Sequence, residues 1–152
     1  MDDVLNAQIR RISAAFDTWW GTPVNPPASP PARAAAAAWF AAHHPGEIPE
    51  QLLEFWAVTN GLGLYGYTLW GAEPTNGVSG IITVNELYVE NFGDYFFLGD
   101  SDDVWMYAYH PGTGKFRILA QFEFDHIEAE FDTFDELASA VFAEAIDRAD
   151  VP

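Results

Sequence analysis

The sequence predicts an α+β fold with a central antiparallel sheet of about five or six strands, with N-terminal helices and a C-terminal helix packed around it. The order of the segments supports this: helix-like segments come first, then short aromatic or β-branched segments, then one more helix-like segment. The chain also has only 152 residues, with no internal repeat and no long linker. We therefore expect residues 1–152 to form a single domain.

Three helices are expected in the first part of the chain. Residues 4–20 carry apolar side chains at the spacing of one helical face. The connector 21–31 excludes a helix because five of its eleven residues are Pro, and we expect it to pack across the domain. Further helices are predicted at 32–43, which is made of strong helix formers, and at 49–60, where Pro49 suits a first-turn position.

The region 64–128 is expected to form the sheet, and a final helix is predicted at 133–148 with Thr133 as its N-cap. Residues 111–114 (PGTG) are typical of a hairpin connection. Residues 81–91 fit either a strand or a short helix. The strand-like segments are 65–70, 95–98, 104–109, 116–120 and 122–127.

The charge of the chain limits its partners. Six Lys and Arg face 23 Asp and Glu, which gives a net charge of −17. Ten carboxylates and no base lie between Ala34 and Gly114, and nine more carboxylates without a base lie between Ile118 and Asp147. Such a surface repels nucleic acid and anionic lipid, whereas it attracts a positively charged protein. The alternative is that the acidity only maintains solubility.

The composition also bears on the compartment. The chain has no Cys, no basic and apolar leader at its start, and no stretch of 18 apolar residues. We therefore expect a soluble, cytoplasmic protein without disulfides.

Signals for catalysis or cofactors are weak. Residues 61–66 (GLGLYG) match a dinucleotide-binding pattern, but the predicted helix precedes them and the predicted strand follows, which is the reverse of the required order. Asp100, Asp102 and Asp103 could hold a hard cation, although the spacing of an EF-hand is absent. The four His and five Ser show no metal-binding or nucleophile motif. We expect no cofactor, no metal and no catalytic residue.

Acidic turns and nearby aromatic residues are the candidate partner-binding sites. Aromatic residues often anchor interfaces, but they equally dominate the cores of small domains, so both interpretations stay open for each of them. The candidates are Tyr65, Tyr67, Glu73, Asp94, Asp100, Asp102, Asp103 and Trp105.

A set of short segments occurs in a fixed order along the chain. They are NPPAS at 25–29, IPEQLLEFW at 48–56, TNGL at 59–62, LWG at 69–71, FLGDS at 97–101, the hairpin 104–116 with TGK at 113–115, and FDTFDEL at 131–137. Together these segments resemble the SUKH superfamily, and within it the YrhA-like branch. Two features depart from the family pattern, namely Trp56 in place of a smaller aliphatic residue and the Ala-rich segment 32–43.

The resemblance implies an α+β fold and a binding role, most often as a bacterial immunity protein against a secreted toxin. It carries over no catalytic residue. We therefore expect an immunity-type protein that inhibits a cognate, basic (nuclease-like) toxin by charge complementarity. A regulatory protein-interaction module with a housekeeping partner is the alternative. A metal-dependent or hydrolytic enzyme that uses the acidic cluster is a third hypothesis.

Overall fold

A computed structural model describes residues 1–75, 79–102 and 104–152 of the chain. The predicted α+β class is confirmed. The helices in this part of the chain are α1 Asp3–Trp20, α2 Pro30–His43, α3 Glu50–Val58, α4 Ile81–Tyr88 and α5 Phe134–Arg148. The strands are β1 Leu62–Leu64, β2 Tyr67–Leu69, β3 Phe96–Ser101, β4 Trp105–His110, β5 Lys115–Ala120 and β6 Glu123–Phe131.

Three helices begin at a residue whose side chain caps the first turn. The side chains of Asp2, Ser29 and Thr133 each accept a hydrogen bond from the backbone N–H three residues further on, at 2.8, 3.2 and 3.2 Å. The cap at Ser29 explains why α2 starts two residues earlier than predicted. Pro30 and Pro31 occupy the first turn, where a missing N–H removes no helical hydrogen bond.

The six strands form one antiparallel sheet in sequence order, β1-β2-β3-β4-β5-β6. Tyr67 of β2 opposes Ser101 of β3, and Trp105 of β4 opposes Ala120 of β5. These pairs bring the β1–β2, β3–β4 and β5–β6 turns to the same end of the sheet. The β4–β5 turn lies at the opposite end, because successive antiparallel strands reverse direction.

One face of the sheet, which we call the covered face, packs against helices. Phe96 and Phe97 are neighbours in β3, and their side chains lie on opposite sides of the strand. The Phe96 ring contacts Phe40 of α2, with centroids 5.1 Å apart. Tyr109 of β4 contacts the same Phe40 and lies 4.6 Å from Phe116 of β5. The side of β3 that carries Phe96 is therefore the side covered by α2.

Helices α3 and α5 complete the cover. Phe116 lies 6.2 Å from Phe134 of α5, and Phe134 lies 5.4 Å from Phe55 of α3. Phe142, which lies further along α5, also contacts Phe55. All four rings are buried. The aromatic residues of the covered face thus form the centre of the hydrophobic core.

Helix α4 packs on the other side of β3, which we call the α4 face. The ring of Phe97 lies 4.9 Å from that of Tyr88 at the end of α4. The buried side chain of Asn85 accepts a hydrogen bond from Phe97 N at 2.8 Å, and its amide donates to Phe97 O at 2.9 Å. The pairing of β3 with β4 shifts register between Phe97 and Gly99. The side chain of Asn85 forms hydrogen bonds with the backbone N–H and C=O of Phe97 at that irregularity.

The connector between α1 and α2 packs across the domain, as predicted. Ala28 is buried and its N–H donates to Trp56 O at 2.8 Å. Asn60 N donates to Pro26 O at 2.7 Å. The Pro-rich segment is therefore held to the end of α3 by its backbone.

The segment 81–91, which the sequence left open between a strand and a short helix, contains helix α4. Residues 65–70, predicted as one strand, split because Tyr65 and Gly66 form a two-residue turn between β1 and β2. The prediction missed β1 because a tyrosine at the first position of such a turn is typical of a strand instead.

Candidate functional site

A surface cleft of about 700 Å³ opens between the loop after α4 and the start of β6. We call it the acidic cleft after four exposed carboxylates that line it, Glu90, Asp94, Glu123 and Asp125. In the described part of the chain, no Lys or Arg lines this cleft. The four carboxylates therefore line one cleft together, and the imidazole of His110 lines it as well.

Aromatic rings form the floor of the acidic cleft. The Phe124 ring lies 4.9 Å from Phe92 and 5.0 Å from Phe97. Tyr95 lies 5.9 Å from the same Phe97. Phe92 is 43% exposed, so the floor is partly open to solvent. The cleft is thus the uncovered continuation of the aromatic packing on the α4 face.

A base that contacts the cleft-lining Tyr95 is already paired. Arg117 donates to the Tyr95 hydroxyl at 3.0 Å and to a carboxylate oxygen of Glu130 at 2.8 Å. Partial burial lowers the pKa of Arg117, but its hydrogen bonds to Tyr95 and Glu130 outweigh this, so the pKa is raised. Because Glu130 balances the charge of Arg117, the cleft keeps its negative potential.

This arrangement suits a cation. Carboxylates form charge-assisted hydrogen bonds with Lys and Arg side chains, and aromatic faces attract the same groups through their quadrupole. A guanidinium or ammonium group in the acidic cleft would contact both the carboxylates and the aromatic rings. The chemistry that the cleft offers is therefore recognition of basic side chains.

Beside the cleft, three hairpin turns are joined into one edge, which we call the hairpin rim. Asp102 N donates to Gly66 O at 3.0 Å, and Gln121 N donates to Val104 O at 3.0 Å. Three apolar side chains on the rim are exposed. The described residues of the rim are Tyr65, Gly66, Asp102, Val104, Gln121 and Phe122. Phe122 also lines the acidic cleft, so the two surfaces are continuous.

A second cleft of about 380 Å³ lies between the end of α1, the connector and the β1–β2 hairpin. Some of its polar groups already bind within the chain. The Asn60 amide pairs with the backbone of Glu73 at 2.9 and 3.2 Å, and the Asn25 amide donates to the carbonyls of Asn60 and Gly61. These groups hold loops together, so the second cleft is a weaker candidate for recognition.

Most of the predicted partner-binding residues lie in or near the acidic cleft and the hairpin rim. Asp94 lines the acidic cleft, whereas Tyr65 and Asp102 belong to the hairpin rim. Asp100 and Trp105 lie in β3 and β4 next to the rim. Asp103 lies outside the described residues.

Two of the predicted residues bind within the chain. Tyr67 is buried, and its hydroxyl donates to Glu144 of α5 at 3.0 Å. Burial, together with this hydrogen bond, raises the pKa of Tyr67. A carboxylate oxygen of Glu73 accepts hydrogen bonds from the Ser29 hydroxyl at 2.8 Å and the Ser29 N–H at 3.2 Å. Both side chains tie separate elements together.

Sequence reasoning missed several residues of the cleft, above all Phe122, Glu123 and Asp125. Residues 122–127 were predicted as a regular strand. In the structure Leu119 opposes Ile127 but Ala120 opposes Glu123, so the residues between them are out of register. The start of β6 lines the cleft at this irregularity. The alternation of acidic and aromatic residues in FEFD was the signal that could have identified it.

The structure also bears on the weaker sequence signals, although Asp103 of the acidic cluster lies outside the described residues. Among the described residues, no group of three or more His, Cys, Asp or Glu is arranged to hold a metal ion. The GLGLYG segment runs from the end of α3 into β1 and the following turn. Gly61 and Gly66 have φ angles of 78° and 83°, so the glycines provide turns there. No helix within the described ranges has the length and apolar character needed to cross a membrane.

A scan against models of known families finds no match, and a search of curated proteins likewise finds none.

Proposed function

We propose that this protein is a non-catalytic binding protein that recognises a basic protein partner through the acidic cleft. The observation that carries the proposal is the convergence of four exposed carboxylates on a partly exposed aromatic floor. A phosphate backbone or an anionic membrane would be repelled by this surface. Basic side chains on a folded protein fit it in charge and in chemistry.

The field of the whole chain supports the same partner. The net charge is −17, and no Lys or Arg occurs between Ala34 and Gly114, a span that contains α3, α4 and strands β1–β4. A field of one sign accelerates the approach of an oppositely charged protein, with the effect falling as salt rises. The aromatic floor adds short-range contact after the encounter.

We further propose that the partner is a basic, nuclease-like bacterial toxin and that the protein acts in the cytoplasm as its immunity-type inhibitor. The resemblance of the sequence to the SUKH superfamily supports this step. A nuclease attracts its substrate with a basic surface, because it must bind phosphates. An acidic inhibitor would cover the same surface and compete with the nucleic acid.

Co-expression tests the immunity role. Toxin domains encoded in genes beside this one would be expressed with and without the protein, and growth would be measured. We expect restored growth and a purified complex whose dissociation constant rises by at least about tenfold between 50 and 500 mM NaCl. If none of these toxins is neutralised, the immunity role is wrong. A salt-sensitive complex with a housekeeping protein would then support the regulatory module.

A matched pair of variants tests the site. Asp94→Asn with Asp125→Asn removes two charges from the acidic cleft, whereas Asp17→Asn with Asp147→Asn removes two exposed charges from α1 and α5. We expect the cleft variant to bind at least about tenfold more weakly and the control to bind within about threefold of the wild type. Equal losses in both would mean that only the total charge matters and that the cleft is not the site.

A further inference from the structure

Two turns of the hairpin rim hold bulky aromatic residues in the left-handed region of backbone space. Tyr65 has a φ of 53° and Phe122 a φ of 65°. Each lies in a two-residue loop between paired strands. Glycine, asparagine or aspartate normally occupies such positions, since a side chain beyond Cβ crowds the backbone there. Asp102, at 45° in the middle turn of the rim, follows this preference, so only the two aromatics depart from it.

Folding also buries little of the apolar surface of these two aromatic side chains. Tyr65 is 66% exposed and Phe122 is 83% exposed. Among the described residues, neither ring lies within stacking distance of another aromatic ring. Both positions therefore combine a disfavoured backbone with apolar surface left in water. Glycine would suit the folded chain better at each of them.

The same chain uses glycine where only the backbone conformation matters. Gly114, in the β4–β5 turn at the opposite end of the sheet, has a φ of 71° and open space where a Cβ would lie. Gly66, next to Tyr65, has a φ of 83°, and a Cβ there would meet the Asp102 carboxylate. Tyr65 and Phe122 thus differ from the other left-handed turn positions of the sheet by carrying large exposed rings.

We propose that Tyr65 and Phe122 are the apolar anchors of the partner interface, and this inference rests on the proposed function. The partner is a basic protein whose surface offers apolar sockets surrounded by Lys or Arg. Charge complementarity supports this occupant, because Asp102 stands in the rim between the two anchors and Glu123 follows Phe122 directly. An apolar centre with a charged surround is the usual composition of a specific interface.

The geometry of the rim fits one partner. The first and third turns are separated by four strand spacings of about 4.8 Å each, or about 20 Å. A patch of about 800 Å², the area that each partner buries in a standard interface, is roughly 28 Å across and can therefore include both turns. The hydrogen bonds from Asp102 to Gly66 and from Gln121 to Val104 fix the three turns relative to one another. Phe122 lies in both the rim and the acidic cleft, so a partner seated in the cleft reaches the rim.

Glycine substitutions provide a test in which stability and binding move in opposite directions. Tyr65→Gly with Phe122→Gly should raise the melting temperature, because the strain at both turns is relieved. Val4→Ala, which removes exposed apolar surface on α1, serves as the control and should leave the melting temperature nearly unchanged. A lower melting temperature for the glycine variant would show that the aromatics serve the fold, and would overturn the inference.

A phage-displayed library of random 12-residue peptides is the binding probe, since it requires no prior identification of the partner. Selection on the wild-type protein should enrich peptides that combine Lys or Arg with Leu, Phe or Trp. A synthetic peptide of this type should bind the glycine variant at least about tenfold more weakly and the Val4→Ala control within about twofold of wild type.

The outcomes separate the inference from the proposed function. Enriched peptides that are only basic, and whose binding depends on Asp94 and Asp125 but not on the two aromatics, would overturn the anchors and leave the proposed function standing. Apolar peptides that bind without Lys or Arg would contradict the proposed function itself. Failure to enrich any peptide that combines the two residue classes would overturn the inference.

Discussion

The covered face and the α4 face of the sheet use aromatic residues in different ways. Over the covered face, Phe55 of α3 contacts both Phe134 and Phe142 of α5, and all three rings are buried in the core. On the α4 face, the packing that starts at Phe97 continues through Phe124 to the partly exposed Phe92. Carboxylates surround the exposed end. The difference indicates that the covered face provides stability, whereas the α4 face leaves part of its apolar surface for recognition.

The largest expected effect comes from removing a ring of the covered face. Phe142 is 0% exposed, so Phe142→Ala should lower the free energy of unfolding by about 3–5 kcal/mol through lost burial and a cavity. Phe92→Ala, the matched change on the α4 face, should lower it by only about 1 kcal/mol. Urea denaturation followed by circular dichroism measures both. Similar losses in the two variants would mean that the α4 face is as much a part of the core as the covered face.

A medium effect is expected where α4 attaches to the sheet. Asn85→Ala leaves the N–H and C=O of Phe97 without their side-chain partner in a buried position, which should cost about 2 kcal/mol. The Phe97 amide should also exchange its hydrogen faster. Thr83→Ala, an exposed change on the same helix, should stay within about 0.5 kcal/mol of the wild type. Unchanged exchange at Phe97 in the Asn85 variant would show that the irregular strand does not need this amide.

Several helices could be predicted because apolar spacing and capping residues in the sequence agree with the elements that form. Apolar spacing predicted residues 4–20 as a helix, and Thr133 with Glu136 marked the start of α5. The structure shows Thr133 accepting the hydrogen bond from Glu136 N. Helix α4 could not be decided from the sequence, since its apolar residues fit two periods and the contact that fixes it joins Asn85 to a strand twelve residues away.

The candidate site was predicted only in part, for a physical reason. The excess of negative charge is a property of composition, so an acidic surface and a basic partner could be expected from the sequence. Asp94 and Asp125 line the same cleft, and Asp125 lies where the pairing of β5 with β6 loses register. An irregularity of pairing between two strands leaves no fixed pattern within either strand.

The smallest expected effect tests whether the covered face excludes charge. His44 is buried against Phe40 and Phe96, and neither ring nitrogen has a side-chain partner among the described residues. Burial lowers the pKa of His44, and the neighbouring His43 lowers it further. The folded protein therefore keeps His44 neutral at a pH at which the unfolded chain has already bound a proton.

The sign of the resulting pH dependence follows from that difference. The neutral ring contributes fully to stability above the ordinary histidine pKa of 6.5, and the contribution is lost as the pH falls from there through the lowered pKa of the folded state. The variant His44→Phe has no ring that binds a proton at this position, so it does not lose this contribution to stability as the pH falls. The stability of the wild type relative to the variant should therefore decrease from pH 7.5 to pH 5, which thermal unfolding of both proteins would measure. Taking the difference between the two proteins cancels the titration of the many carboxylates. A constant difference would mean that His44 accepts a proton in the folded state, and that the covered face is more open to charge than its packing indicates.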